Sequence, residues 1–398
     1  MNESKKIALI STLYTQAHGG VYTMLTFMVK LLQELGFCVK IAYYMPYSVA
    51  PTLSVPLKKI FQKKPSLLHF KGELNVEEYA IGTFLPELEF KNYYPNQYWK
   101  ALIAPSSIRL VITGHILSAL PFYITKKNFL AWVATPYRED RKARVASFPW
   151  HRKCMDALFI SHVSAWLEKK LLRAGNIVAL SHYTKRAFKK NQRLIQEAIP
   201  APVDTTLFFP DSEKVQPGRI CFTGRFLDPR KNVNFLLEVF SIVFKKITYA
   251  RLYLIGDKIT PELSRKLDEL NIQQSVDLFD YISAAELILK LQETDVFVIP
   301  SYQEGLCISG IEAMACGCPV VSTNCGGPSE YVLNNQNGYL LNNDVELFAN
   351  KIIAIIQDRQ LRDRMSKASL EIIREKYSVK SIREKWTQII QREFALSL

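Results

Sequence analysis

Two glutamates stand eight residues apart in EGLCISGIE, Glu304 to Glu312, with small and apolar residues between them. Carboxylates are rarely buried without a partner. The stretch follows an apolar run, DVFVIPS (Asp295–Ser301), and continues into AMACGCPVV (Ala313–Val321). If the run is a strand, Ser301–Gly305 is the turn at its carboxyl end and Glu304 stands at the mouth of a sheet. The N–H groups around Gly305, Leu306 and Cys307 then open a helix. They have no intrahelical acceptors and can hold an anion. Glu312 is expected near the same face as Glu304, because eight residues are slightly over two helical turns. Two acceptors flanking a set of donors suit a diphosphate held between two hydroxylated sugars. The structural alternative, two acids complementing a helix dipole, accounts for Glu304 better than for Glu312.

A second cluster lies in TGRFLDPRKN (Thr223–Asn232), where Arg225, Arg230 and Lys231 follow a strand that ends at Gly224. Cations at a strand's carboxyl end can neutralise a diphosphate; an isolated basic loop is otherwise simply solvated. A third is HGG (His18–Gly20), between the first strand and the first helix. Paired glycines let a ligand approach the backbone closely. The spacing is not GxGxxG, so nothing marks a nicotinamide dinucleotide.

The elements that must position these residues alternate. KIALIST (Lys6–Thr12), a helix ending at Gly36, and CVKIAYY (Cys38–Tyr44) make a βαβ unit, hence a parallel sheet. LVITGH, FLAWVAT and NIVALS are further strands of the first half. A proline-rich linker, Ala198–Gly218, precedes a second β/α series: RICFTG, ARLYLIG, VDLFDY, DVFVIPS and PVVST, with a helix over Val233–Lys246. The expected architecture is α/β, two doubly wound Rossmann-like domains facing a cleft, over residues 1–197 and 198–378. The helical tail from about residue 379 to 398 either closes the second domain or packs back on the first.

The chain has 398 residues and a formal charge of +14. Residues 1–200 carry 28 Lys+Arg against 12 Asp+Glu, and residues 201–398 carry 23 against 25, so the basicity lies in the first half. That half should attract an anionic partner. Nucleic acid is not expected, since no helix-turn-helix, RNP or zinc pattern is present. In VPLKKIFQKKPSLLHFK (Val55–Lys71), Lys58, Lys59, Lys63 and Lys64 mix with Phe61, which suggests an amphipathic segment on an anionic membrane; the alternative is a solvated basic surface. No apolar run spans a membrane and the start lacks a signal-peptide pattern, so a cytoplasmic protein, peripheral on the inner membrane face, is expected. Of seven cysteines, Cys307, Cys316, Cys318 and Cys325 cluster without CxxC or a nearby His, which favours reduced structural thiols over a metal site.

These segments, in this order, resemble the retaining glycosyltransferases of the GT-B fold, glycosyltransferase family 4 (the glycosyl transferases group 1 domain). GRFLDPRKNVNFLLEVF is similar to that family's GR…K segment, and VFVIPSYQEGLCISGIEAMACGCPVVSTNCGGPSEYV to its E-x7-E segment. PAPVDTTLFFP resembles its linker and NNQNGYLL its NG turn. The likeness is close over residues 200–345 and loose before them. It implies transfer of a hexosyl group from a nucleoside diphosphate sugar, a UDP-sugar by preference, to a hydroxyl of a glycan or lipid-linked acceptor. Such acceptors belong to cell-surface polysaccharide or lipopolysaccharide synthesis. It implies no metal and no other cofactor. Arg225 and Lys231 would bind the diphosphate, Glu304 the transferred sugar, and Glu312 the ribose hydroxyls. Gly224, Gly305 and the backbone of Leu306, Cys307 and Ile308 would meet the diphosphate or sugar. Gly19 and Gly20 would approach the phosphates, and Phe279 and Tyr281 the base.

Two departures stand out. A histidine common in the family falls here at Pro136 or Tyr137. His115, Tyr137 and Arg138 are therefore the acceptor-side candidates. The usual EGFG is EGLC. The alternatives are a GDP-mannose-dependent mannosyltransferase, a nucleotide-sugar epimerase of the same fold, and a non-enzymatic protein that binds anionic membrane or nucleic acid.

Overall fold

The computed structural model describes residues 6–14, 19–146, 149–225 and 227–395. His18 of the glycine loop and Phe226 of the basic loop lie outside the described residues. The chain divides into two compact units. One comprises the residues up to Ala201 together with those from Arg383 onward; the other is Pro202–Ile382.

The first unit is built on eight strands: β1 (Ile7–Thr12), β2 (Cys38–Tyr44), β3 (Leu67–Lys71), β4 (Glu77–Ile81), β5 (Ser106–Thr113), β6 (Leu130–Val133), β7 (Asn176–Ala179) and β8 (Glu197–Ala198). Their order is β3-β4-β2-β1-β5-β6-β7-β8, parallel except for the antiparallel pair β3–β4. The central strands are buried over most of their length, as a sheet covered on both faces requires. The strand order reverses between β1 and β5. Crevices that bind ligands form at such switch points, and both the Gly19 loop and His115 follow strands that flank this one.

The second unit has six parallel strands: β9 (Arg219–Thr223), β10 (Arg251–Ile255), β11 (Val276–Phe279), β12 (Val296–Ile299), β13 (Val320–Thr323) and β14 (Gly338–Leu341). The order is β11-β10-β9-β12-β13-β14, so its switch point lies between β9 and β12. Helix Val233–Lys246 packs Leu236, Leu237, Val239, Phe240 and Val243 into the core at helical spacing. Both units are thus doubly wound α/β, as expected.

Two segments take forms that the sequence left open. Val55–Lys71, the stretch read as amphipathic, is not a single element. Leu57–Lys59 is a single 3-10 turn, and the later residues form edge strand β3. Pro56 and Pro65 bracket the stretch and forbid a continuous helix across it. A turn at Gly72–Asn75 then closes the hairpin, with Asn75 at φ 59. Lys58, Lys59, Phe61, Lys63 and Lys64 are nonetheless all exposed. Strand β14 was hidden by its shortness and by the glycine at its start; a Cβ at Gly338 would lie 1.9 Å from the Val320 carbonyl oxygen.

The final helix, Val379–Phe394, buries Ile382, Trp386, Ile389 and Ile390 along one stripe. Trp386 stacks obliquely on Trp132 of β6, with ring centroids 4.8 Å apart, and Trp132 donates from Nε1 to the Ile199 carbonyl at 2.9 Å. Arg383 pairs with Glu34 at 2.8 Å. Replacing Trp386 with alanine is expected to destabilise the first unit by about 3–5 kcal/mol, the usual cost of truncating a buried tryptophan. Urea unfolding should show the loss as a lower midpoint; an unchanged midpoint would mean that the helix contributes nothing to that core.

Candidate active site

The site of the second unit assembles where β9 and β12 end, on either side of the switch point. Strand β9 stops at Gly224 (φ +146), whose N–H donates to Ile255 O at 2.9 Å. Beside it, β10 stops at Gly256 (φ +141), where a Cβ would come within 2.2 Å of the Gly224 carbonyl oxygen. Only glycine lets the two strand ends approach this closely.

The loop that follows is tightly made. Asp228 accepts from the Arg230 N–H at 3.1 Å and caps the turn Pro229–Lys231. Asn232 adopts the left-handed conformation (φ 53) and donates from Nδ2 to Pro300 O at 3.1 Å. This bond fastens the end of the basic loop to the end of β12. Lys231 is thereby aimed at Glu304, with Nζ 2.7 Å from Oε1. Burial works against the ammonium, but the charges of Glu304 and neighbouring Cys307, with the Glu304 hydrogen bond, hold its pKa above the ordinary value. Arg225 is placed differently. Its side chain is 68% exposed and, among the described residues, reaches only Asp228, at 3.6 Å.

Glu304 is fixed from several sides. Ser301 Oγ donates to its Oε1 at 2.7 Å. Its backbone N–H donates to Cys325 O at 2.8 Å, and its carbonyl accepts from Gly327 N at 2.9 Å. Gly327 must be glycine, since a Cβ there would lie 2.4 Å from Leu306 Cα. The turn then passes through Cys307 in the left-handed conformation (φ 65), which precedes helix Ile308–Ala315. Tyr331 Oη donates to the Cys307 carbonyl at 3.0 Å and holds that conformation. Burial, aided by the Glu304 charge, pushes the Cys307 thiol up to about 11, so it is a packing group rather than a nucleophile.

Glu304 therefore does not share a helix with Glu312, and the two-turn spacing argument fails. A left-handed residue stands between them, and their environments are opposite. Glu304 is paired, whereas the half-buried Glu312 carboxylate has no hydrogen bond or ion pair among the described residues. Burial pushes its pKa up to about 7. Leu306 is buried. Phe279 ends β11 with its carbonyl accepting from Gly256 N at 3.0 Å and Lys290 Nζ 5.4 Å from its ring; Tyr281 beyond it is exposed.

In the first unit, Gly19 (φ +83) precedes helix Gly20–Glu34, with open space where a Cβ would stand. His115 and Tyr137 are both buried and meet edge to face at 5.3 Å. The Tyr137 hydroxyl donates to Glu89 at 3.4 Å and its N–H to Glu168 at 2.8 Å. Both candidates are buried in the empty protein, His115 against the Tyr137 ring and Tyr137 also against Glu89 and Glu168. Arg138 is exposed.

Sequence reasoning missed Asn232, Ser301 and Tyr331, which position rather than bind. Asn before a helix, where αL is tolerated, and the second GG pair, Gly326–Gly327, were the available signals.

Comparison with known proteins bears on the second unit and on the fold. Residues 204–371 match the family described as Glycosyl transferases group 1. The poly(ribitol-phosphate) alpha-N-acetylglucosaminyltransferase of Staphylococcus aureus (strain COL) is 30% identical over 164 residues, 40% of this chain and 33% of that protein. The chain thus spans about a third of that relative's length. Among solved structures, sucrose-phosphate synthase from Thermosynechococcus elongatus superposes with a TM-score of 0.75 at 18% identity, covering 98% of this chain and 100% of that one. The Anabaena protein HepE, solved with UDP-glucose, gives 0.72 at 14% identity, covering 97% and 99%. At such identities the likeness shows the fold. Residues 204–371 thus match the glycosyl transferases group 1 domain, and the chain as a whole has the GT-B fold.

Proposed function

We propose that the protein is a retaining glycosyltransferase of glycosyltransferase family 4. It would move a hexosyl group from a UDP-sugar to a hydroxyl of a glycan or lipid-linked acceptor in cell-surface polysaccharide or lipopolysaccharide synthesis, working peripherally on the cytoplasmic membrane face. The observation that carries the reading is the contrast at the switch point: a cation held ready by Glu304, and a second acid, Glu312, left without a donor. A diphosphate supplies the anion for the first, and ribose hydroxyls the donors for the second. The names of the relatives support it, since one transfers N-acetylglucosamine to a polyol phosphate and another was solved with UDP-glucose.

In this mechanism the acceptor oxygen attacks the anomeric carbon from the face the diphosphate vacates. The bond to the diphosphate oxygen breaks, its electron pair stays on phosphate, and the acceptor proton follows to that oxygen. Lys231, Arg225 and the N–H groups at the start of helix Ile308–Ala315 neutralise the departing charge, which is most of the catalytic task. No metal is assigned a part. Glu304 meets the transferred sugar once the diphosphate shares Lys231. A panel of UDP, GDP and ADP in thermal shift tests the base, because binding raises the midpoint in step with affinity. Incubation with donor alone and then with acceptor separates an epimerase, which changes the sugar without acceptor.

Lys231→Ala should lower kcat by roughly 100- to 1,000-fold, the usual loss on removing a transition-state donor. Arg225→Ala, at an exposed and loosely tethered position, should cost less. Near-normal turnover in both would refute the assignment. Glu304→Gln separates binding from transfer. Removing the carboxylate that competes for Lys231 should tighten the complex with free UDP while transfer falls, and weaker UDP binding in calorimetry would contradict this.

Glu312 predicts a pH dependence. Its carboxyl stays protonated in the empty site up to about 7, whereas hydroxyl donors favour the ionised form. Affinity for UDP-glucose, whose diphosphate has no proton to lose near neutrality, should therefore rise with pH up to about 7 and then level off. Glu312→Gln should flatten the curve. The empty protein behaves in the opposite sense. A carboxyl ionised when unfolded but protonated when folded makes stability fall as pH rises, from the ordinary carboxylate range to about 7.

A further inference from the structure

The first unit carries an outward surface that donor chemistry does not use. Residues 150–174 run as one helical rod: helix Trp150–Met155, a π turn Asp156–Ile160, and helix Ser161–Ala174. At about 1.5 Å per residue it is roughly 37 Å long. Its inward line is Asp156, Ile160, Ser164 and Glu168, each four residues from the last and each buried. The rod's two acids are therefore both turned inward. Asp156 pairs with Arg141 and accepts from Ser161 Oγ at 2.7 Å, and Glu168 accepts from the Tyr137 N–H at 2.8 Å.

The outward side is the inverse of an ordinary surface helix. Trp150 is 78% exposed, Leu158 81% and Trp166 55%, with Phe159 exposed beside them. Lys153, Lys169, Lys170 and Arg173 are exposed around them, and neither of the rod's own carboxylates lies on that side. Lys170 Nζ lies 3.9 Å from the Trp166 ring centroid. Large apolar side chains in water are costly when they could be buried, and a contiguous set of them marks a contact surface.

We propose that this rod lies in the plane of an anionic membrane surface. Its tryptophans sit at headgroup depth, Leu158 and Phe159 enter the acyl boundary, and Lys153, Lys169, Lys170 and Arg173 meet lipid phosphates. Tryptophan and cations around an apolar stripe suit the interface rather than a protein groove. Self-pairing of the rod would set like charges against each other. The proposal rests on the membrane reading given above and moves the principal contact from the Lys58–Lys64 loop to the rod, but it needs nothing from the transfer chemistry.

Of the five tryptophans, Trp99, Trp132 and Trp386 are buried, so only Trp150 and Trp166 can report on a surface. The full chain is mixed with phosphatidylcholine vesicles with or without roughly one third phosphatidylglycerol. Flotation and a blue shift of tryptophan emission are expected with the anionic vesicles alone. The double variant Leu158→Ser, Trp166→Ser should float about tenfold less or worse, by the loss of apolar burial. Its circular dichroism and UDP binding should be unchanged. A Lys58, Lys59, Lys63, Lys64→Ser variant should still float. If the wild type does not float, the membrane reading and the rod both fall. If the loop variant is lost from vesicles and the rod variant is kept, the membrane reading stands and the rod assignment is overturned. Self-association in sedimentation, abolished by the rod variant, would make the face an interface between copies instead.

Discussion

The second unit is organised around one ion pair, Lys231 with Glu304. A largely buried ammonium left alone would be strongly destabilising, by about 3–5 kcal/mol for a broken buried pair. The pairing therefore demands that two loops from different strands be held in register. Asn232 ties one loop to Pro300, Ser301 steadies the carboxylate, and the Gly326–Gly327 turn clasps the backbone on either side of it. A charge that must be matched in the empty protein is also a charge already oriented and partly stripped of water. Such a group loses little by reorganising when an anion arrives.

The backbone constraints follow from that requirement. Asn232 and Cys307 both take the left-handed conformation, one at the end of the cationic loop and one at the start of the helix after Glu304. Each reverses the chain sharply at a strand's carboxyl end, and each is locked by a side-chain bond to backbone, Asn232 to Pro300 and Tyr331 to Cys307. Glycines 224, 256 and 327 stand where backbones touch. Left-handed backbone and close approach, present elsewhere in the chain too, thus also stand within a few residues of the ion pair, as they do at functional sites.

Much of this was legible in the sequence because periodicity and punctuation report local structure. The strands from Ile7 to Val320, apart from β3, β4 and β8, and the helix over Val233–Lys246 declare themselves through apolar runs bounded by turn-forming residues. Glu304, Lys231 and Glu312 were visible as a spaced set of charges. Their relations were not. Whether Glu304 turns toward Lys231 or toward Glu312 depends on one left-handed residue, Cys307, and non-glycine residues rarely advertise that state. His115 and Tyr137 stand out because they follow strands, but the burial of both and the bonds of Tyr137 to Glu89 and Glu168 draw on distant segments. The rod at 150–174 escaped notice because its acids and cations are interleaved in sequence; only the inward turn of Asp156 and Glu168 separates them.

The return of the final helix to the first unit has a consequence for biosynthesis. Trp132 lies in the middle strand region of that unit, but its partner Trp386 follows the entire second unit in the chain. During synthesis the first sheet leaves the ribosome with that apolar face uncovered, while the second unit has all its strands in one continuous segment and can close as soon as it emerges. Domains made of continuous chain fold as they appear, and faces left waiting are exposed to misassembly. The order of completion is thus the reverse of the order of translation: the half made first is finished last.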